Sequence, residues 1–120
     1  MALKLSSKQQ AQLEFLTRAF PKVQRIQSLI EKLSSPSESE SAGRSLCRLL
    51  DEVKSGSAAM GLAKVADSAA NMSSVARRTG AIPQRQRTLR EGSASLKINW
   101  EAARTKASIP EVESGDEEAT

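Results

Sequence analysis

Few side chains in this 120-residue sequence could perform chemistry, because it has no histidine and only one cysteine, Cys47. The absence of histidine excludes Ser–His–Asp and Cys–His catalysis, an imidazole general base and most zinc-enzyme sites. A single cysteine excludes an internal disulfide and a CxxC metal site, and we expect Cys47 to be a small, inert core residue. No nucleophile–base pair or metal cluster can be assembled from spacing alone. We therefore expect no enzymatic activity, no cofactor and no metal.

The charged residues are unevenly distributed around a formal net charge of +4. Residues 77–106 hold eight Lys and Arg against two Glu, whereas residues 111–120 hold five acids and no base. Within the basic segment, Arg90, Lys97 and Arg104 recur every seven residues and form a secondary basic patch. Such a patch could bind nucleic acid or an acidic protein surface. The one aromatic residue of this segment, Trp100, is expected in the core, which leaves no aromatic residue for base stacking among the arginines. We therefore favour side chains that follow the edge of a helix, and binding of nucleic acid or an acidic surface is the alternative.

The elements that would carry these residues are helical, because apolar residues recur at spacings of three and four and aromatic residues make up only 2% of the chain. We predict helices at about 7–19, 21–34, 41–60, 62–78 and 83–107, with Pro21 separating the first two and Thr79-Gly80 capping the fourth. The fold class is all-α: an antiparallel four-helix bundle with a short extra N-terminal helix. The domain covers residues 1–108, and residues 109–120 form a tail that is disordered by composition.

The most informative surface lies on the helix predicted at 41–60, opposite its apolar stripe of Leu46, Leu50, Val53 and Ser57. Asp51 and Ser55 point away from this stripe, Glu52 and Lys54 lie on its two shoulders, and Ala58 and Ala59 follow one turn later. Small outward side chains allow another protein to approach the helix closely. A glycine inside a helix costs about 1 kcal/mol relative to alanine, so Gly56 serves either this docking or tight packing within the bundle.

The run from Leu49 to Leu62 resembles the active helix of histidine phosphotransfer (HPt) domains, whose pattern is His-x-Leu-Lys-Gly-Ser-Ala followed by a glycine near the helix end. In an ungapped match Asp51 takes the histidine position, Lys54 matches the lysine and Gly61 matches the final glycine. With a shift of one residue, Glu52 takes the histidine position and Gly56 matches the first glycine. We prefer the ungapped match. The segment 63–78 is similar to the next HPt helix.

The resemblance implies a protein that binds the partners of HPt domains without transferring phosphate, because the phospho-accepting histidine is replaced by an acid. The implied partner is a response-regulator receiver domain or a histidine kinase, and the implied role is that of an adaptor or inhibitor. The expected contact residues are Asp51, Glu52, Lys54, Ser55, Ala58 and Ala59. No apolar stretch is long enough to span a membrane and residues 1–10 lack the apolar core of a secretory signal, so we expect a cytoplasmic monomer.

Overall fold

The computed structural model describes residues 4–78 and 81–110, and most of them belong to four helices. These are α1 (Ser7–Lys32), α2 (Ser39–Ala59), α3 (Ala63–Ala76) and α4 (Ile82–Ala107). The described residues contain no β-strand, so the all-α prediction is confirmed for them. The predicted cap at Thr79-Gly80 and the predicted acidic tail from residue 111 onward lie outside the described residues.

The first helix differs from the prediction, because α1 runs without interruption through Pro21. It begins at a capping box, in which the Ser6 hydroxyl accepts from the Gln9 amide N–H and the Gln9 side chain accepts from the Ser6 amide N–H. Proline removes one helical N–H, but Pro21 is exposed to solvent. The buried residues before and after it lie on the same inward face of the helix. The predicted helices at 7–19 and 21–34 are therefore one helix, and the prediction of a short extra N-terminal helix is wrong.

The break predicted at Gly61 is confirmed, and its geometry explains the choice of residue. Gly61 has φ of 73°, in the left-handed region that favours glycine. The Gly61 amide N–H donates to the Ala58 carbonyl and the Leu62 amide N–H donates to the Ser57 carbonyl, which together form a Schellman motif. This motif ends α2 and turns the chain directly into α3.

The helices enclose one apolar core, since α1 and α3 each pack against both α2 and α4. Trp100 is the largest fully buried side chain, with 1% of its surface exposed, as expected for its place on the apolar stripe of α4. The α2 stripe predicted to face inward is buried throughout: Leu46, Leu50, Val53 and Ser57. Within the described part of the chain, no helix combines the length and the apolar character that crossing a membrane requires.

Candidate interaction site on α2

The outward face of α2 is the candidate site, and the structure separates its residues into two kinds. Lys54, Ser55, Ala58 and Ala59 are exposed on the side that no other helix covers. Asp51 and Glu52 occupy the two shoulders of the helix, and each is held by a side chain from a neighbouring helix. The site is therefore a small-residue surface bordered by two interhelical ion pairs.

Asp51 is held against α3, where Arg77 and Ser73 lie one helical turn apart. Arg77 donates to both carboxylate oxygens, with Nη2 to Oδ2 at 2.6 Å and Nη1 to Oδ1 at 3.3 Å. The Ser73 hydroxyl donates to Oδ1 at 3.0 Å and also accepts from Arg77 Nη1. Asp51 keeps 42% of its side chain exposed, yet it lies on the α3 side of α2 and not directly opposite the core as its spacing predicts.

The Asp51–Arg77 pair favours the ionised form of Asp51. Hydrogen bonding from Arg77 is the main cause that lowers the pKa of the Asp51 carboxyl, with smaller contributions from Ser73 and from the charges of Arg77 and Lys54, while partial burial opposes them. The same hydrogen bond raises the pKa of Arg77. Asp51 is therefore an ionised carboxylate whose charge is balanced by Arg77 within the protein.

Glu52 is engaged on the opposite side of the helix. Its Oε1 lies 3.1 Å from Lys22 Nζ on α1, and both side chains are about half exposed. The two acids that could stand at the HPt histidine position thus tie α2 to α3 and to α1, respectively. Neither one projects as an unpaired charge from the outward face.

Gly56 serves packing between α1 and α2. A Cβ atom at this position would lie 2.5 Å from Cε1 and 3.0 Å from Cζ of the Phe15 ring, closer than van der Waals contact allows. The Phe15 ring is itself packed against Trp100, with ring centroids 5.9 Å apart. Of the two roles considered for Gly56, the structure therefore supports tight internal packing, and the docking hypothesis depends on Ser55, Ala58 and Ala59.

The secondary basic patch is not a set of free charges. Arg90 forms a two-pronged ion pair with Glu31 of α1, with Nε to Oε2 at 2.8 Å and Nη2 to Oε1 at 2.7 Å. This hydrogen bonding lowers the pKa of Glu31 and raises that of Arg90. Arg104 lies 4.0 Å from Glu101 on its own helix, and Lys97 is exposed with no ion pair to any described residue. Arg90 thus joins α4 to α1.

Two features of the site were not identified from the sequence. The sequence indicates Arg77 only as part of the basic segment, although its spacing of four from Ser73 places both on one face at the end of α3 and could mark a polar contact with α2. Cys47 was predicted in the core, but it is half-buried and lines a cleft next to Asp51. Among the described residues, no three side chains of the metal-binding types come together.

Comparison of the chain with protein-family models, with curated proteins and with solved structures gave no match. The HPt resemblance therefore depends on the residues of α2 and α3 alone.

Proposed function

We propose that this chain is a non-catalytic interaction module that binds a protein partner through the outward face of α2. The observation that carries the proposal is the exposed run of Ser55, Ala58 and Ala59 on a helix whose other faces are committed to neighbours. We infer that the chain forms an antiparallel four-helix bundle, an arrangement that the contacts of each helix with its two neighbours support. We take it to act as a monomer in the cytoplasm.

The physical case for docking at this face is that little has to be rearranged when a partner binds. Ser and Ala lose almost no side-chain conformational entropy on burial, whereas long side chains lose up to about 2 kcal/mol each. Their small size also allows a partner helix to approach the backbone of α2 closely. The ion pairs of Asp51 and Glu52 hold the shoulders of the surface in place before the partner arrives. The partner therefore meets a rigid, shallow surface.

The partner class comes from the HPt resemblance: a response-regulator receiver domain or a histidine kinase. The module would occupy the partner's docking surface as an adaptor or inhibitor without accepting phosphate. The Arg77 ion pair bears on how this works, because it balances the charge of Asp51. Recognition would thus depend on the shape of the α2 face and not on an acid that imitates a phosphorylated histidine.

The experiment measures binding of the purified chain to the receiver domains and histidine kinases of its source organism by biolayer interferometry. We expect at least one partner to bind the wild type, and Ala58→Arg to weaken that binding at least tenfold because the new side chain obstructs the close approach. Ala94→Arg is the matched control, since Ala94 is exposed on α4 and should tolerate arginine without effect on binding.

Two results would overturn parts of the proposal separately. Equal affinities for the wild type, Ala58→Arg and Ser55→Arg would show that the outward face of α2 is not the docking surface. Absence of binding to every receiver domain and kinase would remove the two-component partner class. Circular dichroism of each variant verifies that the helices are intact.

A further inference from the structure

A second surface, separate from Ser55, Ala58 and Ala59, is a basic pocket at the end of the protein where α2 turns into α3. It has a volume of about 340 Å³ and lies between the first turns of α1, the start of α3 and the last turns of α4. Its charged lining residues are Lys8, Lys64 and Lys106, all of them exposed, and none of the described acids lines it. The pocket therefore carries three positive charges that no acid in its own wall compensates.

Two of these lysines lie beside the N-terminus of α3. Lys8 Cε, the carbon that carries the ammonium group, is 4.0 Å from the position that a Cβ on Gly61 would take, and Lys64 is the second residue of α3. The cap residue Leu62 offers no side-chain acceptor, and the first turn of α3 contains no acid. The first N–H groups of a helix carry a partial positive charge of their own. The lysines and the start of α3 thus favour negative groups at the same place.

An acidic segment of the same chain, residues 111–118, begins at the rim of this pocket. The Ile109 carbonyl accepts from Gln9 Nε2 at 2.6 Å, and Gln9 is a lining residue, so the chain is held at the rim two residues before the segment starts. Five of the eight residues that follow Pro110 are acids and none is a base: Glu111, Glu113, Asp116, Glu117 and Glu118. Eight residues span up to about 26 Å when extended, which is ample for reaching every wall of a pocket of this size.

We propose that the acidic segment 111–118 docks in the basic pocket of its own chain. Each lysine can pair with a different carboxylate, so the site does not require the three ammonium groups to converge on one anion. Exposed ion pairs are individually weak, but a covalently attached segment is present at an effective concentration in the millimolar range, where weak contacts suffice. The docked segment covers the start of α3, and an acidic ligand from another molecule has to displace it.

The test compares amide NMR spectra of the ¹⁵N-labelled full chain with those of a variant whose acidic segment is neutral. The five changes are Glu111→Gln, Glu113→Gln, Asp116→Asn, Glu117→Gln and Glu118→Gln, and they leave every core residue unchanged. In about 0.01 M salt we expect the two proteins to differ at the amide signals of residues 63–65. In about 1 M salt, where the Debye length is about 3 Å, these differences should fall at least threefold.

Charge reversal in the pocket shows whether the lysines hold the segment. In the double variant Lys8→Glu with Lys64→Glu, neutralising the segment should no longer shift the signals of residues 63–65. The matched control is Lys32→Glu with Lys97→Glu, which changes the net charge equally at two exposed positions outside the pocket. In this control the shift differences should persist.

Three results would overturn the proposal: differences confined to residues 108–110, equal differences in the two charge-reversed proteins, or differences that vanish on dilution. The last of these would mean that the segment contacts another molecule. Ser55, Ala58 and Ala59 do not line the pocket, so this test and the α2 docking test can fail independently.

Discussion

Replacement of Gly56 by alanine tests whether this glycine serves packing within the protein. Two effects oppose each other in Gly56→Ala. Helix propensity favours alanine by about 1 kcal/mol at a position inside a helix. The added Cβ would lie 2.5 Å from Cε1 of Phe15, so the ring has to move. Overpacking of this kind costs about 1–3 kcal/mol.

The steric term should exceed the helix-propensity term because a shift of the Phe15 ring would disturb its contact with Trp100. It packs against Trp100, which is fully buried in the core. We therefore expect Gly56→Ala to lower the free energy of unfolding by about 1 kcal/mol, which corresponds to a fall in Tm of about 4 °C for a domain of this size. Urea denaturation followed by circular dichroism measures the first quantity, and a thermal melt measures the second.

Two further variants make the reasoning refutable. Gly43→Ala is the matched control in the same helix, since a Cβ there would meet only Leu33 Cδ2 at an ordinary 3.9 Å, and it should stabilise the protein by about 0.5–1 kcal/mol. Phe15→Leu removes the ring atoms that the new Cβ would meet, so in that background Gly56→Ala should become stabilising. If Gly56→Ala stabilises the otherwise wild-type protein as much as Gly43→Ala does, the packing explanation is wrong.

Two other predictions concern α1 and the Asp51–Arg77 pair. Pro21→Ala should raise the free energy of unfolding by about 1–3 kcal/mol, because Pro21 is exposed inside α1 and alanine restores a helical N–H; an unchanged urea midpoint would contradict this. Asp51→Asn should be less stable than the wild type at neutral pH, because hydrogen bonding from Arg77 lowers the pKa of Asp51 in the folded state. The wild type binds fewer protons folded than unfolded, so its advantage is complete above the unfolded pKa of about 3.9 and is lost as the pH falls through the lower folded pKa. Urea titrations at pH 7 and pH 2.5 compare the two proteins, and a stability difference that does not shrink in acid would contradict the assignment.

The sequence was sufficient for the inward faces of the helices and for the turn at Gly61. Apolar periodicity depends only on the helical repeat, and a glycine after the last apolar turn of α2 has a local conformational cause. The prediction from the sequence failed at Pro21. The local cost of proline in a helix is outweighed there by the burial of apolar residues of α1 on both sides of it. That balance is set by tertiary packing and is not visible in the spacing of the residues around the proline.

The candidate site was predictable as a set of exposed small residues, but not as a set of charges. The direction of Asp51 depends on Arg77, which lies 26 positions later at the C-terminal cap of α3. The role of Gly56 depends on Phe15, a residue of α1 that approaches α2 only after the helices pack. Helical spacing gives the direction of a side chain from its own axis. The partner that then holds the side chain is determined by the arrangement of the neighbouring helices.

The two ion pairs on α2 bear on how the proposed docking face would recognise a partner. If Asp51 or Glu52 projected freely, attraction to a basic partner would dominate and would be screened by salt. Because Arg77 and Lys22 compensate these acids within the protein, little net charge from them is presented to a partner. Under the proposed function, the remaining contacts would come from Ser55, Ala58 and Ala59, and their contribution would scale with the buried area and the fit. Under the same proposal, a partner that docks on this face would therefore be selected mainly by shape.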